Sequence, residues 1–426
     1  MKKSSRMMAS NVALAALVAM WLSACGAEDT TPSSTADVAS ATDGGVTADA
    51  QADATANGDS GSDASSEPKL YGVGVRNIEV IGANGRKLPT EVWYPIAADT
   101  TGEAATYLNG VLKSPNNAVR GAKPAAGPWP LVVFSHGNGG VRDQSPFLTE
   151  WLARNGYVVA SPDHVGNTTL HMKDEWWPSM ALWRPQDIQA VIAAMTDKET
   201  TEWWAGLVDG DKIGVTGHSF GGYTSLAVAG LDVLKPFLTP ADCDDSALPE
   251  ESKLLCTEVK KLGDAPYNFA DPRVRVAVPL AHAGYGSVGK WKLLATLEKG
   301  AEHIPLVMIG ATGDNITRII LETRPLYKAL ASPAAMISIK GGSHYSFADI
   351  CALKGLLPAS FKAAIGDICE PDAKPTIEES YDIINTYTLA AMDLYLKGDE
   401  SARETFKASD GELFQVESQG IVGQGK

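Results

Sequence analysis

The chain has 426 residues, 44% hydrophobic and 20% charged, with 41 glycines, 24 prolines and five cysteines. That balance excludes a chain disordered throughout, a collagen-like repeat and a disulfide-dense miniprotein. With 51 acidic residues against 36 basic ones the net charge is −15, and without a basic patch nucleic acid is not an expected partner.

Lys2, Lys3 and Arg6 precede an apolar run from Val12 to Leu22, which reads as a signal peptide over residues 1–24 and is too short to span a bilayer. Leu22-Ser23-Ala24-Cys25 resembles a bacterial lipobox. That resemblance implies a lipid-modified Cys25 that ties the chain to an envelope membrane without a transmembrane helix, and Gly26 implies sorting to the outer membrane or cell surface. From Gly26 to Glu67 there are nine acidic residues, no basic one and no aromatic, so the stretch cannot bury enough apolar surface to offset its ordering entropy. Residues 25–68 are therefore expected to be a lipidated cysteine on a disordered tether.

Residues 69–407 alternate strand-like apolar runs with helical patterns, as a mostly parallel sheet covered by helices on both faces requires. Val73 to Ile81 and Leu88 to Tyr94 read as an antiparallel opening pair around Gly82 to Gly85. The buried strands expected after it are 131–135, 157–160, 213–216, 274–280, 306–309 and 336–339. Pro185 suits the first position of a helix whose apolar face is Ile188, Val191, Ile192 and Met195. A helix from Tyr381 to Leu396 should close this α/β domain, leaving 408–426 as a tail. No internal repeat divides the chain, and a monomer is favoured.

Three segments carry chemistry. In Thr216-Gly217-His218-Ser219-Phe220-Gly221-Gly222 a Gly-x-Ser-x-Gly pattern falls straight after a strand and before a small-residue helix. A serine on so sharp a turn projects from the sheet end, at a helix N-terminus where negative charge is favoured, so Ser219 is the expected nucleophile. His344, in a glycine-rich loop after the last apolar strand, is its expected base. Asp314, in the loop after the preceding strand, would fix the tautomer of His344; Asp163 follows an earlier strand and is the weaker rival. The order Ser219, Asp314, His344 is that of the α/β-hydrolase arrangement. The expected oxyanion donors are the backbone N–H groups of Phe220 and Asn138, and His136 reads as a structural hydrogen-bonder that holds the loop.

Phe134-Ser135-His136-Gly137, Arg184-Pro185-Gln186-Asp187, Asp271-Pro272-Arg273, the serine motif and Gly342-Ser343-His344-Tyr345-Ser346-Phe347 together resemble bacterial dienelactone hydrolases related to platelet-activating-factor acetylhydrolases, over about residues 70 to 400. The resemblance implies an α/β-hydrolase fold and a serine carboxylic-ester hydrolase with a covalent acyl-enzyme, no metal and no cofactor. True dienelactone hydrolases carry Cys at the nucleophile; Ser219 here favours ordinary esters as substrate. A cutinase-like polyester hydrolase, a lipase, a serine peptidase and a non-catalytic surface-binding lipoprotein are the alternatives.

Four cysteines follow Cys25. In an exported chain they read as disulfides, and of three possible pairings the local ones, Cys243 with Cys256 and Cys351 with Cys369, are the simplest. No Cys-x-x-Cys spacing suggests zinc. An insertion between Asn167 and Trp183 carries Trp176, Trp177 and Trp183, which could line a substrate pocket, and 232–270 reads as a second, cap-like insertion. Arg184 and Asp187 are expected to form a structural ion pair.

Overall fold

The computed structural model describes residues 70–422, apart from 174–175, 235–242, 244–249, 264–265, 287–292, 301–302, 332, 358–361 and 363–364. The expected signal peptide, Cys25 and the expected tether fall outside the described residues.

The strands are β1 (Gly72–Ile81), β2 (Lys87–Ile96), β3 (Thr106–Tyr107), β4 (Leu112–Lys113), β5 (Val119–Arg120), β6 (Trp129–Ser135), β7 (Val158–Pro162), β8 (Val208–His218), β9 (Val274–Leu280), β10 (Leu306–Ala311), β11 (Ala334–Ile339), β12 (Ser409–Asp410) and β13 (Phe414–Gln419). The helices are α1 (Pro146–Arg154), α2 (Trp177–Met195), α3 (Phe220–Val228), α4 (Glu250–Leu262), α5 (Thr323–Ala329) and α6 (Ile377–Met392). Eleven strands make one sheet in the order β12-β13-β11-β10-β9-β8-β6-β7-β2-β1-β5, while β3 and β4 pair separately. From β7 through β6 and β8 to β11 the strands run parallel, and the expected opening pair β1 and β2 is antiparallel.

The six parallel strands read as continuous apolar runs because both faces of the sheet are covered. Successive residues serve opposite layers: Leu131 and Val133 join Met180, Ile188 and Leu226 from α2 and α3, whereas Val132 and Phe134 join Leu148, Leu152 and Ile384 from α1 and α6. Each such side chain contributes roughly 1.5 to 3 kcal/mol by leaving water. The chain goes from β6 outward to β7 and then returns past β6 to β8, so the order reverses at β6 and β8. Ligands of open α/β sheets bind at the carboxyl ends of strands at such a point.

Three expectations need correction. Pro185 lies inside α2 rather than at its start. A proline there cannot donate to the carbonyl four residues back. That acceptor, Ala181 O, instead takes a 2.7 Å hydrogen bond from Tyr223 Oη of α3, so a side chain on a neighbouring helix supplies the missing donor. The second correction concerns α6, which begins at Ile377 because Thr376 and Glu379 cap each other's backbone N–H groups, and which ends in a π-turn over Asp393–Lys397. It does not close the fold. The segment expected as a tail, 408–426, is not one over its described residues, 408–422: β13 pairs antiparallel with β11 from Ala334↔Gln419 to Ile339↔Phe414, and β12 adds to it.

Both local disulfides are present, Cys243–Cys256 and Cys351–Cys369, each with Cα atoms 5.3 Å apart. In the cap-like insertion α4 lays Leu255 and Val259 into the same apolar layer as α2.

Candidate active site

Ser219 stands between β8 and α3 with φ 58° and ψ −116°, in the positive-φ region where a side chain other than glycine is strained. The turn exists because the residues two before and two after Ser219, Gly217 and Gly221, have no side chain. A Cβ on Gly221 would lie 1.8 Å from Ser135 O and one on Gly217 2.5 Å from the same oxygen, so α3 can press against the end of β6 only as the sequence stands.

Asp314 and His344 come from the loops after β10 and β11. These loops are stitched together by Gly313 N–H donating to Gly342 O at 3.0 Å, an approach a Cβ on Gly313 would block. His344 begins a short 3-10 turn capped reciprocally by Ser343 and Ser346. Its Nδ1 donates to Asp314 Oδ2 at 2.8 Å, which assigns the tautomer and leaves Nε2 able to accept a proton. Asp314 Oδ1 accepts the N–H groups of Ile316 and Thr317, each at 2.8 Å, and Thr317 Oγ1 lies 2.8 Å from Asp314 Oδ2. Burial alone would raise the Asp314 carboxyl, but the His344 ring and the Thr317 donors outweigh it and hold it at about 2. Asp163 takes its hydrogen bonds from the Arg142 backbone and guanidinium.

The Ser219 backbone is fastened to the end of β9 and the residues after it. Its N–H donates to Leu280 O, and its carbonyl accepts from Ala283 N–H at 3.2 Å. The preceding residue, His218, donates from Nε2 to His344 O at 2.9 Å. The hydrogen bonds of the His344 ring run through Nδ1, and none joins it to Ser219 Oγ. Catalytic contacts of this kind commonly tighten only when substrate is bound.

Sequence reasoning missed the polar frame around these residues. Gln144 Nε2 donates to His218 Nδ1 at 3.0 Å while its Oε1 accepts Gly137 N–H at 3.0 Å, so one amide ties the loop after β6 to the residue before the serine. Burial, with the His344 ring beside it acting in the same direction, pushes His218 well below the usual histidine range and leaves it neutral to play both roles. His136 holds the loop as expected: Nδ1 donates to Gly137 O and Nε2 accepts His164 N–H. Arg184, wholly buried, donates to Asn167 Oδ1 at 2.6 Å, to Ser135 Oγ and to His136 O; Asn167 Nδ2 in turn donates to Asn138 Oδ1 at 2.7 Å. The expected Arg184–Asp187 ion pair is therefore corrected. Asp187 pairs with Arg86 at 2.7 Å and accepts from His164 Nδ1 at 2.9 Å. A long-range network of this sort has no signature in local spacing.

The aromatic-pocket expectation fails for Trp183, which is 1% exposed and packed in the core with Arg86 over its ring. Trp176 packs edge-on against it, with centroids 5.5 Å apart. Trp177 opens α2, and its side chain lies outside the described ones. Among the described residues no group of three His, Cys, Asp or Glu stands together as a metal site.

Residues 117–236 match the family model of the dienelactone hydrolase family, a span that takes in β6, the loop after it and the Ser219 turn. A solved ferulic acid esterase from Streptomyces cinnamoneus superposes with a TM-score of 0.52 at 20% identity, covering 78% of this chain and 92% of that one. The chain has the α/β-hydrolase fold. No curated protein matches the sequence.

Proposed function

We propose that this protein is a serine carboxylic-ester hydrolase. The observation that carries the reading is the His344–Asp314 hydrogen bond at the same sheet end as a serine held at positive φ, with a basic ring nitrogen left over. The dienelactone hydrolase match across the serine turn and the fold shared with a ferulic acid esterase support ester chemistry.

In the proposed reaction Ser219 Oγ attacks the ester carbonyl as its proton passes to His344 Nε2, and Asp314 stabilises the resulting imidazolium. The oxyanion accepts hydrogen bonds from the backbone N–H groups of Asn138 and Phe220, each worth about 2.7 to 4 kcal/mol in comparable sites. The C–O bond breaks, and the alcohol leaves with the proton from His344. Water then gives a proton to His344 and attacks the acyl–Ser219 carbonyl, and Ser219 recovers that proton as the acid departs. Arg184 acts at a distance: through His136 O and Asn167 it fixes the loop that presents Asn138. The lipobox-like Cys25 puts the enzyme on an envelope membrane in this reading, with the tether setting its reach.

The test is hydrolysis of p-nitrophenyl esters together with labelling by a fluorophosphonate probe. Turnover and labelling that both vanish in Ser219→Ala are the expected result. A folded protein that hydrolyses no ester and leaves Ser219 unlabelled would sink the reading.

A further inference from the structure

A cavity of about 440 Å³ opens among the loops 140–144, 163–171 and 348–357, within the range of pockets that enclose small ligands. Two of its walls adjoin the site already described: Gln144, which bonds His218, with Gly140 from the same loop after β6, and Ala348 to Ile350, which follow His344 in the chain. Its surface is aliphatic. Val141, Val165, Leu353 and Leu357 line it, and Leu170 and Leu356, also lining residues, stand 53% and 43% exposed. Single exposed leucines are ordinary on a surface, but two on one apolar hollow mark a place where something apolar is bound.

The lining also says what that ligand is not. Of its cations, Arg142 is paired with Asp163 and Lys87 with Glu79, while Asp143 and Asp349 accept from the Leu108 and Phe147 N–H groups. The mostly apolar wall offers a charged arm no replacement for the water it would lose. Among the described lining residues there is no Phe, Tyr or Trp on which a flat ring could stack. The wall is also built in advance, because the turn Cys351–Leu356 that carries Leu353 and Leu356 is held by the Cys351–Cys369 disulfide.

We propose that this cavity receives a neutral, flexible aliphatic arm of the ester that Ser219 cleaves. The assignment rests on the esterase reading for its chemistry, and on the cavity alone for its binding.

Two measurements on the full chain separate these. The first is kcat/KM in wild type, Leu353→Trp and Leu170→Asp for two matched pairs: p-nitrophenyl acetate with p-nitrophenyl octanoate, and ethyl acetate with octyl acetate, which puts the same arm on the alcohol side. In one pair the eight-carbon ester should exceed its short partner at least tenfold in wild type. Leu353→Trp, which fills the cavity, should cut that ratio at least tenfold; Leu170→Asp, at an exposed position that folding does not need, should cut it in the same direction. A flat wild-type profile, or ratios unmoved in both variants, overturns the proposal. The second is calorimetric titration of 1-octanol into Ser219→Ala, alone and combined with Leu170→Asp. Octanol binding that Leu170→Asp weakens at least fivefold, found together with a wild type that hydrolyses no ester, keeps the cavity and discards the esterase. Ester hydrolysis without chain-length preference or octanol binding does the reverse.

Discussion

Among the described residues stand two Ser-His-Asp constellations, and the proposed reaction uses only one of them. At the sheet end stand Ser219, His344 and Asp314; inside the core stand Ser135, His164 and Asp187, with Ser135 Oγ 2.9 Å from His164 Nε2 and His164 Nδ1 2.9 Å from Asp187 Oδ2. By hydrogen-bond connectivity the buried set is the more complete. It differs in what surrounds it. Ser135 is the last residue of strand β6, without the positive φ of Ser219, and accepts from Arg184, and His164 is fully enclosed and kept neutral by burial and by the nearby Arg184 and Arg86 charges. Burial pushes Asp187 up to about 6 against the pull of Arg86, whereas Asp314 is held at about 2. A serine, a histidine and an aspartate in contact therefore do not define a nucleophile; a strained turn at a sheet end and a base with an unoccupied nitrogen do.

Substitutions can sharpen this contrast. Ser219→Ala should lower kcat by about 10⁶, while Ser135→Ala should lower it less than about tenfold and leave fluorophosphonate labelling of Ser219 intact, since only a contact in the frame is lost. Labelling at Ser135 would erase the distinction. Among the carboxylates, Asp314→Asn should cost about 10⁴ in kcat by disfavouring the Nδ1–H tautomer, and Asp163→Asn less than about tenfold; the opposite ranking in steady-state kinetics would reassign the acid. Arg184→Met leaves His136 O and Asn167 Oδ1 without their buried donor, so denaturant unfolding should reveal a loss of about 3 to 5 kcal/mol. The smallest effect is acid dependence. Asp314 lies at about 2 against an ordinary 3.8, so its stabilisation is complete above about pH 4 and is lost as pH falls through about 2. Asp314→Asn should flatten the stability profile across that window by roughly 2 kcal/mol.

Much of this was legible in the sequence, for identifiable reasons. The run 274–280 coincides with β9, and the other parallel strands were located within a few residues because strands buried on both faces read as unbroken apolar stretches. Ser219, Asp314 and His344 could be proposed because each follows such a strand, and the structure brings Asp314 and His344 into contact. What escaped has less local contrast. The only fully buried residue of β13 is Val416, too sparse a pattern to set it apart from a tail. Pro185 marks a helix start in most sequences, and its tolerance inside α2 depends on a hydroxyl 38 positions away at Tyr223. Trp183 lies in what the sequence presents as an insertion, yet it belongs to the core because Arg86, distant in the chain, covers its ring. Gln144 joins Gly137 to His218 across 74 positions, a link that no spacing announces.

The sheet's two rims have a consequence for how the protein behaves in company. Both outermost strands, β5 and β12, are two residues long, and β12 is flanked by the Lys340–Asp410 ion pair. Strand edges template pairing with other chains, and short, charged rims suppress it. A chain stopped at residue 407 would keep every group assigned to chemistry but bare the six-residue ladder of β11. Its defect would be one of solubility, and it would appear as aggregates in light scattering at concentrations where the whole chain stays dispersed.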